Sequence, residues 1–266
     1  MKILGDSALP NRFFASLRTA RRRVLFLDYD GTLAPFRVDR DRAFPYPGVR
    51  ERLGTIGRDR STRLVLISGR WTEDLIPLLG TRDPPEIWGS HGWERLLPGE
   101  PVRIAPLEEA QVRGLAEADD WAAAAGFLGR CERKPAGLAV HFRGLPPGES
   151  KRLRARTERS LGSVAHAAGL EVHEFDGGIE LRAPGRTKGL AVDTVLGEEP
   201  AGIPAAYLGD DRTDEDAFRA LAGRGLRVLV RTEERPTEAD VWIRPPDELL
   251  RFLDRWISPG DEGGDR

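Results

Sequence analysis

Val24-Leu-Phe-Leu-Asp-Tyr-Asp-Gly-Thr32 opens with four apolar residues in a row and closes with two carboxylates and a turn. An apolar run with no polar face reads as a strand buried on both sides, the kind found inside parallel sheets. Asp28 and Asp30 stand two apart at its end, so extended geometry points both the same way. Two like charges there repel unless a cation sits between them. A hard divalent ion suits oxygen donors, and Mg²⁺ is the usual choice beside phosphate. On this stretch alone, a plain Asp-Gly turn is an equal reading. An EF-hand is excluded, because its register requires Gly at position 33 and Glu at position 39, where Leu33 and Asp39 stand.

Outward from this stretch, strand and helix signals alternate, which argues for an α/β architecture. Segments 64–67, 87–88, 205–208 and 226–230 read as further buried strands, and 47–57, 72–79 and 247–257 as helices. The middle of the chain differs. Helical patterns at 106–126 and 149–168 accompany strands at 137–143, 170–175 and 179–182. In 137–143, Leu138, Val140 and Phe142 alternate with Ala139, His141 and Arg143, the period of two expected of an antiparallel sheet with one wet face. The reading is a discontinuous α/β core of residues 1–103 and 184–266, its parallel sheet covered by helices on both faces, with an α+β domain inserted at 104–183. Segment 258–266, with its charges and glycines, predicts disorder.

Composition narrows the function classes. Of 266 residues, 41 are Lys or Arg and 43 are Asp or Glu, a net charge of −2 that leaves no electrostatic footprint for nucleic acid or an anionic membrane. No run approaches the ~20 apolar residues of a spanning helix. Segment 24–27 is too short for a secretory core, which also defeats Arg21-Arg-Arg23 as a twin-arginine signal. Cys131 is the only cysteine and has no metal-ligand company, so it reads as a packed thiol with no oxidising compartment implied. A cytoplasmic location is the expectation. Only four of the basic residues are lysines, Lys2, Lys134, Lys151 and Lys188, so each retained lysine calls for a reason.

Three more strand-end signals join the first. Gly209-Asp-Asp-Arg-Thr-Asp-Glu-Asp216 carries five acids in eight residues after a buried strand, which suits a helix start, a metal site or both. Ile67-Ser-Gly-Arg70 offers a hydroxyl and a backbone N–H to a phosphate oxygen. Lys188 follows Thr187 at a helix start, where an ammonium makes sense beside an anion. Ligands of open parallel sheets sit outside such strand ends. In the insert, Glu132, Lys134, His141, Arg143 and Glu180 are candidates for one polar sheet face, with a solvated face as the bland alternative. His166 and His173 lack metal-ligand spacing, and the tryptophans read as core.

In chain order, Asp28-x-Asp30-Gly-Thr, Ser68, Lys188 and Gly209-Asp210-Asp211-x-x-Asp214 resemble the haloacid dehalogenase superfamily of phosphotransferases. The longer strings, Asp28 to Pro35, Ile67 to Arg70, Gly89-Ser-His-Gly92, His141-Phe-Arg143 and Gly209 to Glu215, resemble the trehalose-6-phosphate phosphatase family. The likeness runs from about Val24 to Arg244 and is weaker through the helices of the insert. It implies a Rossmann-like core with a C2-type cap. It also implies Asp28 as nucleophile, Asp30 as general acid and base, and Ser68 and Lys188 as partners of the phosphoryl oxygens. Mg²⁺ would be held by Asp28, the Asp30 carbonyl and Asp210, with Asp214 orienting ligand water. Gly31, Thr32, Gly69, Arg70, His91 and Gly92 would bind the substrate, together with Glu132, Lys134, Arg143 and Glu180, which would hold the sugar.

Two departures fall on the sugar side. The family usually carries a Lys before Glu180, where Gly177-Gly178 stands, and Arg-Pro after it, where Arg182 is followed by Ala183-Pro184. The expected function is Mg²⁺-dependent hydrolysis of trehalose 6-phosphate beneath a mobile cap. Alternatives are another glycosyl or cyclitol phosphate (glucosylglycerol or sucrose phosphate), or a non-catalytic phosphosugar-binding module. The expected partner is a small sugar phosphate, with neither nucleic acid nor membrane, and coupling to a sugar-phosphate synthase is a further expectation.

Overall fold

The computed structural model describes residues 1–37, 39–175 and 177–260. They form two compact units, Met1–Arg103 with Thr187–Arg266, and Ile104–Arg186. Within the predicted tail, only 258–260 are described; the expectation for 261–266 lies outside the described residues.

The larger unit is built on a nine-stranded sheet. Its order is Lys2–Ile3, Val241–Ile243, Leu226–Val230, Ala205–Gly209, Arg23–Leu27, Thr62–Ile67, Glu86–Gly89, Glu94–Leu96 and Arg103–Ile104. The six strands from Val241–Ile243 to Glu86–Gly89 are parallel. The expected parallel sheet is extended toward its edges by antiparallel strands, since Lys2–Ile3 and Glu94–Leu96 pair antiparallel. The reason is local. Glu94–Leu96 returns after a short turn, too short for the crossover that a parallel strand requires.

Alternation along each strand sorts its side chains into two apolar layers. Leu25, Leu27, Leu64, Leu66 and Leu208 pack with Phe14, Leu53, Leu75, Leu253 and Trp256 of the helices Leu9–Thr19, Val49–Arg58, Thr72–Leu79 and Asp247–Ile257. Val24, Phe26, Val65, Ile67 and Tyr207 pack on the opposite side with Val192, Val195 and Phe218 of Lys188–Gly197 and Glu215–Leu221. Each such fully buried side chain contributes about 1.5–3 kcal/mol by transfer from water. The chain leaves Arg23–Leu27 toward Thr62–Ile67 on one side and meets Ala205–Gly209 on the other. The crevice of the sheet therefore opens between Arg23–Leu27 and Ala205–Gly209.

Near the N-terminal ends of the strands, an ion network ties the sheet to the end of Lys188–Gly197. Arg63 pairs with Glu86, Glu198 and Glu199, and Arg95 with Glu86 and Glu198. Hydrogen bonding from Arg95, then from Arg63, outweighs burial and holds the Glu198 carboxyl down at about 2. A depressed carboxylate stabilises the fold above its ordinary pKa of 4.5, and that contribution is lost as pH falls toward 2. Thermal melts of the parent should therefore fall more steeply between pH 5 and 2.5 than those of Arg95→Met. Equal slopes would remove the network from the account.

The smaller unit has a four-stranded antiparallel sheet, ordered Cys131–Lys134, Gly137–His141, Gly178–Arg182 and Glu171–Phe175, with helices Glu109–Ala124 and Pro147–Ala168. Gly114 allows close helix contact, since a Cβ there would lie 2.3 Å from Ala168 Cβ. The sheet departs from the single wet face expected for 137–143, because Leu138, Ala139 and Val140 are all buried. Ala139 faces Glu132 on one neighbouring strand and Glu180 on the other. These longer side chains flank it and pair with His141 and Lys134. Burial pushes the Cys131 thiol up to about 11, consistent with an inert packed group.

Candidate active site

Register brings the two acidic strand ends together. Leu27 pairs with Leu208, and the Asp28 N–H donates to the Leu208 carbonyl at 2.9 Å. Asp28 and Asp210 thus emerge side by side from neighbouring strands, although 182 positions separate them in sequence. The turn after Asp210 folds back so that Asp214 Oδ2 accepts from the N–H groups of Asp210 and Asp211, at 3.0 and 2.9 Å. Asp28, Asp210 and Asp214 are all buried, with one oxygen from each within 4.8 Å of the others.

Lys188 lies at the start of its helix and reaches into this cluster. Its Nζ donates to Asp28 Oδ1 at 2.6 Å and to Asp214 Oδ1 at 2.7 Å, and the Tyr207 hydroxyl donates to the same Asp214 oxygen at 2.6 Å. Burial works against the Lys188 ammonium, but the charges of Asp214 and Asp28 outweigh it and hold its pKa well above the usual lysine value. Burial pushes the Asp28 carboxyl up to about 7, with Lys188 opposing and Asp214 reinforcing the shift. Asp210 is also raised well above its ordinary value, by burial first and then by Asp28 and Asp214. One ammonium among three buried carboxylates leaves an excess of negative charge. This excess, and an all-oxygen donor set, fit a hard divalent cation such as Mg²⁺.

The remaining phosphate-side candidates frame the cluster. Thr32 Oγ1 lies 3.4 Å from Asp28 Oδ2 and 3.5 Å from Asp210 Oδ1. Ser68 is buried at the end of Thr62–Ile67, its Oγ accepting from the Arg70 N–H at 3.1 Å. Arg70 is also buried, and its guanidinium clasps both oxygens of Asp30, at 2.6 and 2.7 Å. The Asp30 carboxylate therefore stands with Arg70, while the other three acids form the metal-type cluster.

Ser90 and His91 are consecutive non-glycine residues at positive φ, 49° and 57°. Such backbone costs about 1–3 kcal/mol per residue and persists only where neighbours over-determine it. Here the Ser90 and His91 N–H groups donate to the carbonyls of Arg70 and Ser68, at 2.8 and 2.9 Å. The buried Glu94 carboxylate accepts from Ser90 Oγ and the Thr72 N–H, both at 3.0 Å. The turn is thereby pinned to the Ser68 loop. His91 covers Gly69, where a Cβ would stand 2.7 Å from the imidazole, and Gly92 abuts the carbonyl of Thr187.

Gly31 is constrained by the cluster itself. Its φ is +82°, and a Cβ there would stand 2.2 Å from Asp210 Oδ2. Gly31→Ala is expected to displace Asp210 and to weaken Mg²⁺ binding by about tenfold or more. Calorimetric titration of the folded variant checks this, and unchanged affinity would refute it.

In the smaller unit, Lys134 Nζ donates to Glu180 Oε1 at 2.6 Å, and His141 Nε2 lies 3.2 Å from Glu132 Oε2. Glu132, Lys134, His141 and Glu180 share one sheet face. Arg143 lies beyond the strand and packs across Gly177, where a Cβ would stand 2.3 Å from its Cγ. A Cβ on Gly178 would stand 2.0 Å from the Phe175 ring. The Gly177-Gly178 pair is thus required locally by Arg143 and Phe175.

A protein-family model described as trehalose-phosphatase matches residues 26–242. The chain belongs to the trehalose-phosphatase family. The match begins two residues before Asp28 and extends past Asp214, so it takes in every acid of the buried cluster. Among relatives, trehalose-phosphate phosphatase B of Arabidopsis thaliana is 30% identical over 258 residues, covering 88% of this chain and 66% of its own length. An uncharacterized glycosyl hydrolase of Mycobacterium tuberculosis is 32% identical over 255 residues, 89% of this chain but 18% of its own. The chain thus spans between about a fifth and two-thirds of these curated relatives. The solved trehalose-6-phosphate phosphatase of Aspergillus fumigatus superposes with a TM-score of 0.65 at 26% identity, over 93% of this chain and 96% of its own.

Three residues around this trehalose-phosphatase site are not among the candidates read from the sequence: Tyr207, Glu94 and Arg235. Tyr207 lies in an apolar strand and reads as core, which it is, except for its hydroxyl on Asp214. Glu94 follows the Gly89-Ser-His-Gly92 string closely, and that proximity was the available hint. Arg235 stands in a polar loop, indistinguishable in sequence from a solvated arginine.

Proposed function

We propose that this protein is a Mg²⁺-dependent phosphatase that hydrolyses trehalose 6-phosphate to trehalose and inorganic phosphate. The observation that carries the reading is Asp28, buried, bonded to Lys188 and grouped with Asp210 and Asp214, in a chain of the trehalose-phosphatase family. Asp28 attacks phosphorus as its P–O bond to the sugar breaks, giving an aspartyl phosphate. Asp30 delivers a proton to the departing sugar oxygen, then takes one from the water that cleaves the intermediate. Arg70 fixes both oxygens of Asp30, which sets the position from which that proton is exchanged. Ser68 and Lys188 face the phosphoryl oxygens, where charge concentrates in the transition state. Asp28, Asp210 and the Asp30 carbonyl would hold Mg²⁺, with Asp214 orienting its ligand water, and the ion would neutralise the acids and the phosphoryl group.

For the sugar we assign Glu132, Lys134, Arg143 and Glu180, whose carboxylates and cations suit hydroxyl groups as acceptors and donors. We place the enzyme in the cytoplasm, coupled to the synthase that makes its substrate. Among the described residues, no helix is long and apolar enough to cross a membrane. The test is a hydrolysis panel of trehalose 6-phosphate, sucrose phosphate, glucosylglycerol phosphate and a cyclitol phosphate, with and without Mg²⁺. The expected result is the highest kcat/KM on trehalose 6-phosphate and loss of turnover on chelation. Comparable or higher kcat/KM on another member overturns the substrate, and no turnover on any member supports a binding module instead.

A further inference from the structure

We infer that Arg235, seated on Glu215, is the residue that positions Asp210 for metal binding. Arg235 belongs to the loop that follows Leu226–Val230. Its Nε donates to the Asp210 carbonyl at 3.2 Å and its Nη2 to the Asp211 carbonyl at 2.7 Å. Its Nη1 donates to Glu215 Oε1 at 2.5 Å and to the Pro236 carbonyl at 2.8 Å. Glu215 is held in turn by the Thr237 hydroxyl and the Glu238 N–H, each at 2.8 Å. The Arg235 and Glu215 side chains retain only 16% and 14% exposure, so this clamp is largely shielded from water and salt.

The backbone of Asp210 is thereby gripped from both sides. Its N–H donates to Asp214, and its carbonyl accepts from Arg235 and, at 3.3 Å, from Arg231. The Asp210 carboxylate itself has far weaker restraint, a Thr32 hydroxyl 3.5 Å from Oδ1 and the Arg231 guanidinium 4.0 Å from Oδ2. Its direction therefore follows from the backbone that carries it. Mg²⁺ tolerates little deviation from octahedral geometry, so a carboxylate that swings loses affinity. Arg is suited to this place because one planar fork spans two successive carbonyls and an acid together; a lysine ammonium on its flexible stem cannot reproduce that fork.

The inference rests on reading Asp28, Asp210 and Asp214 as the metal site. The experiment is calorimetric titration of Mg²⁺ into the full-length, metal-free protein without substrate, alongside melts of the same samples. Arg235→Gln is expected to raise Kd by about 10–100-fold, the usual effect of losing a residue that orients a ligand. Arg235→Lys, which keeps the charge, is expected to raise it at least about tenfold and decides the matter if Arg235→Gln does not fold. Arg227→Gln, which breaks the Arg227–Asp240 pair elsewhere in the same unit, should lower Tm and leave Kd in place. Parental protein that binds no Mg²⁺ would defeat the metal reading itself. Parental binding that Arg235→Lys retains in full would overturn the positioning role and leave that reading intact.

Discussion

Asp28→Asn is expected to lower kcat by at least about 10³-fold while stabilising the metal-free protein. The amide cannot attack phosphorus, so the intermediate does not form and only binding and electrostatics remain. The stability effect has the opposite sign. Burial, reinforced by Asp214 and opposed by Lys188, lifts the Asp28 carboxyl from 3.8 to about 7 in the fold. Between these values the native state binds more protons than the unfolded chain, so stability falls as pH rises from about 4 to 7. Asparagine carries no charge to desolvate, and the variant should melt higher than the parent at pH 8 and show a shallower decline from pH 4 to 7. Metal binding requires the carboxylate, so the Tm gain on adding Mg²⁺ to the parent should grow across the same window. Phosphate-release assays and melts of both proteins with and without Mg²⁺ measure all three effects. A variant that retains a tenth of parental kcat would remove Asp28 as nucleophile.

Lys188→Met should be the most destabilising single substitution in the site. Lys188 is buried and bridges Asp28 and Asp214 through hydrogen bonds of 2.6 and 2.7 Å. Removing one member of a buried ion pair leaves uncompensated charge and typically costs about 3–5 kcal/mol. For a protein of this size that corresponds to roughly 10 °C in Tm. The loss should be largest at pH 8 without metal, where the orphaned Asp28 carboxyl is driven to ionise, and smaller near pH 4, where it holds its proton. Mg²⁺ should restore part of it, since a cation placed among the same oxygens substitutes for the missing ammonium. Turnover should stay at least about 10²-fold low even in Mg²⁺, because the phosphoryl oxygens lose a charged donor. A Tm deficit independent of both pH and Mg²⁺ would show that Lys188 acts only as packing.

Much of the fold was legible in advance because its signals are local. Arg23–Leu27 and Ala205–Gly209 are buried on both faces and read as continuous apolar runs, as strands inside a covered parallel sheet must. The antiparallel edges were less legible: Glu94–Leu96 is three residues long, and its direction depends on the turn before it. Cys131–Lys134, polar at most positions, gave no strand signal because its apolar partners lie on other strands. The expected wet face beside it failed for the same reason, since whether a position is covered depends on how long its cross-strand neighbours are.

From the chain alone come the buried strands, the carboxylates and the serine at their ends, and the helix start at Lys188. Each of these is written in a few consecutive residues, through periodicity and capping. Only the tertiary structure decided that Lys188 bridges Asp28 and Asp214, that Asp30 is held apart by Arg70, and that Tyr207 and Arg235 close on the acidic turn. These are contacts between distant segments, mostly of charged or polar groups. Sequence pattern reports which face a residue occupies, whereas an ion pair depends on a distance that is set when the layers pack.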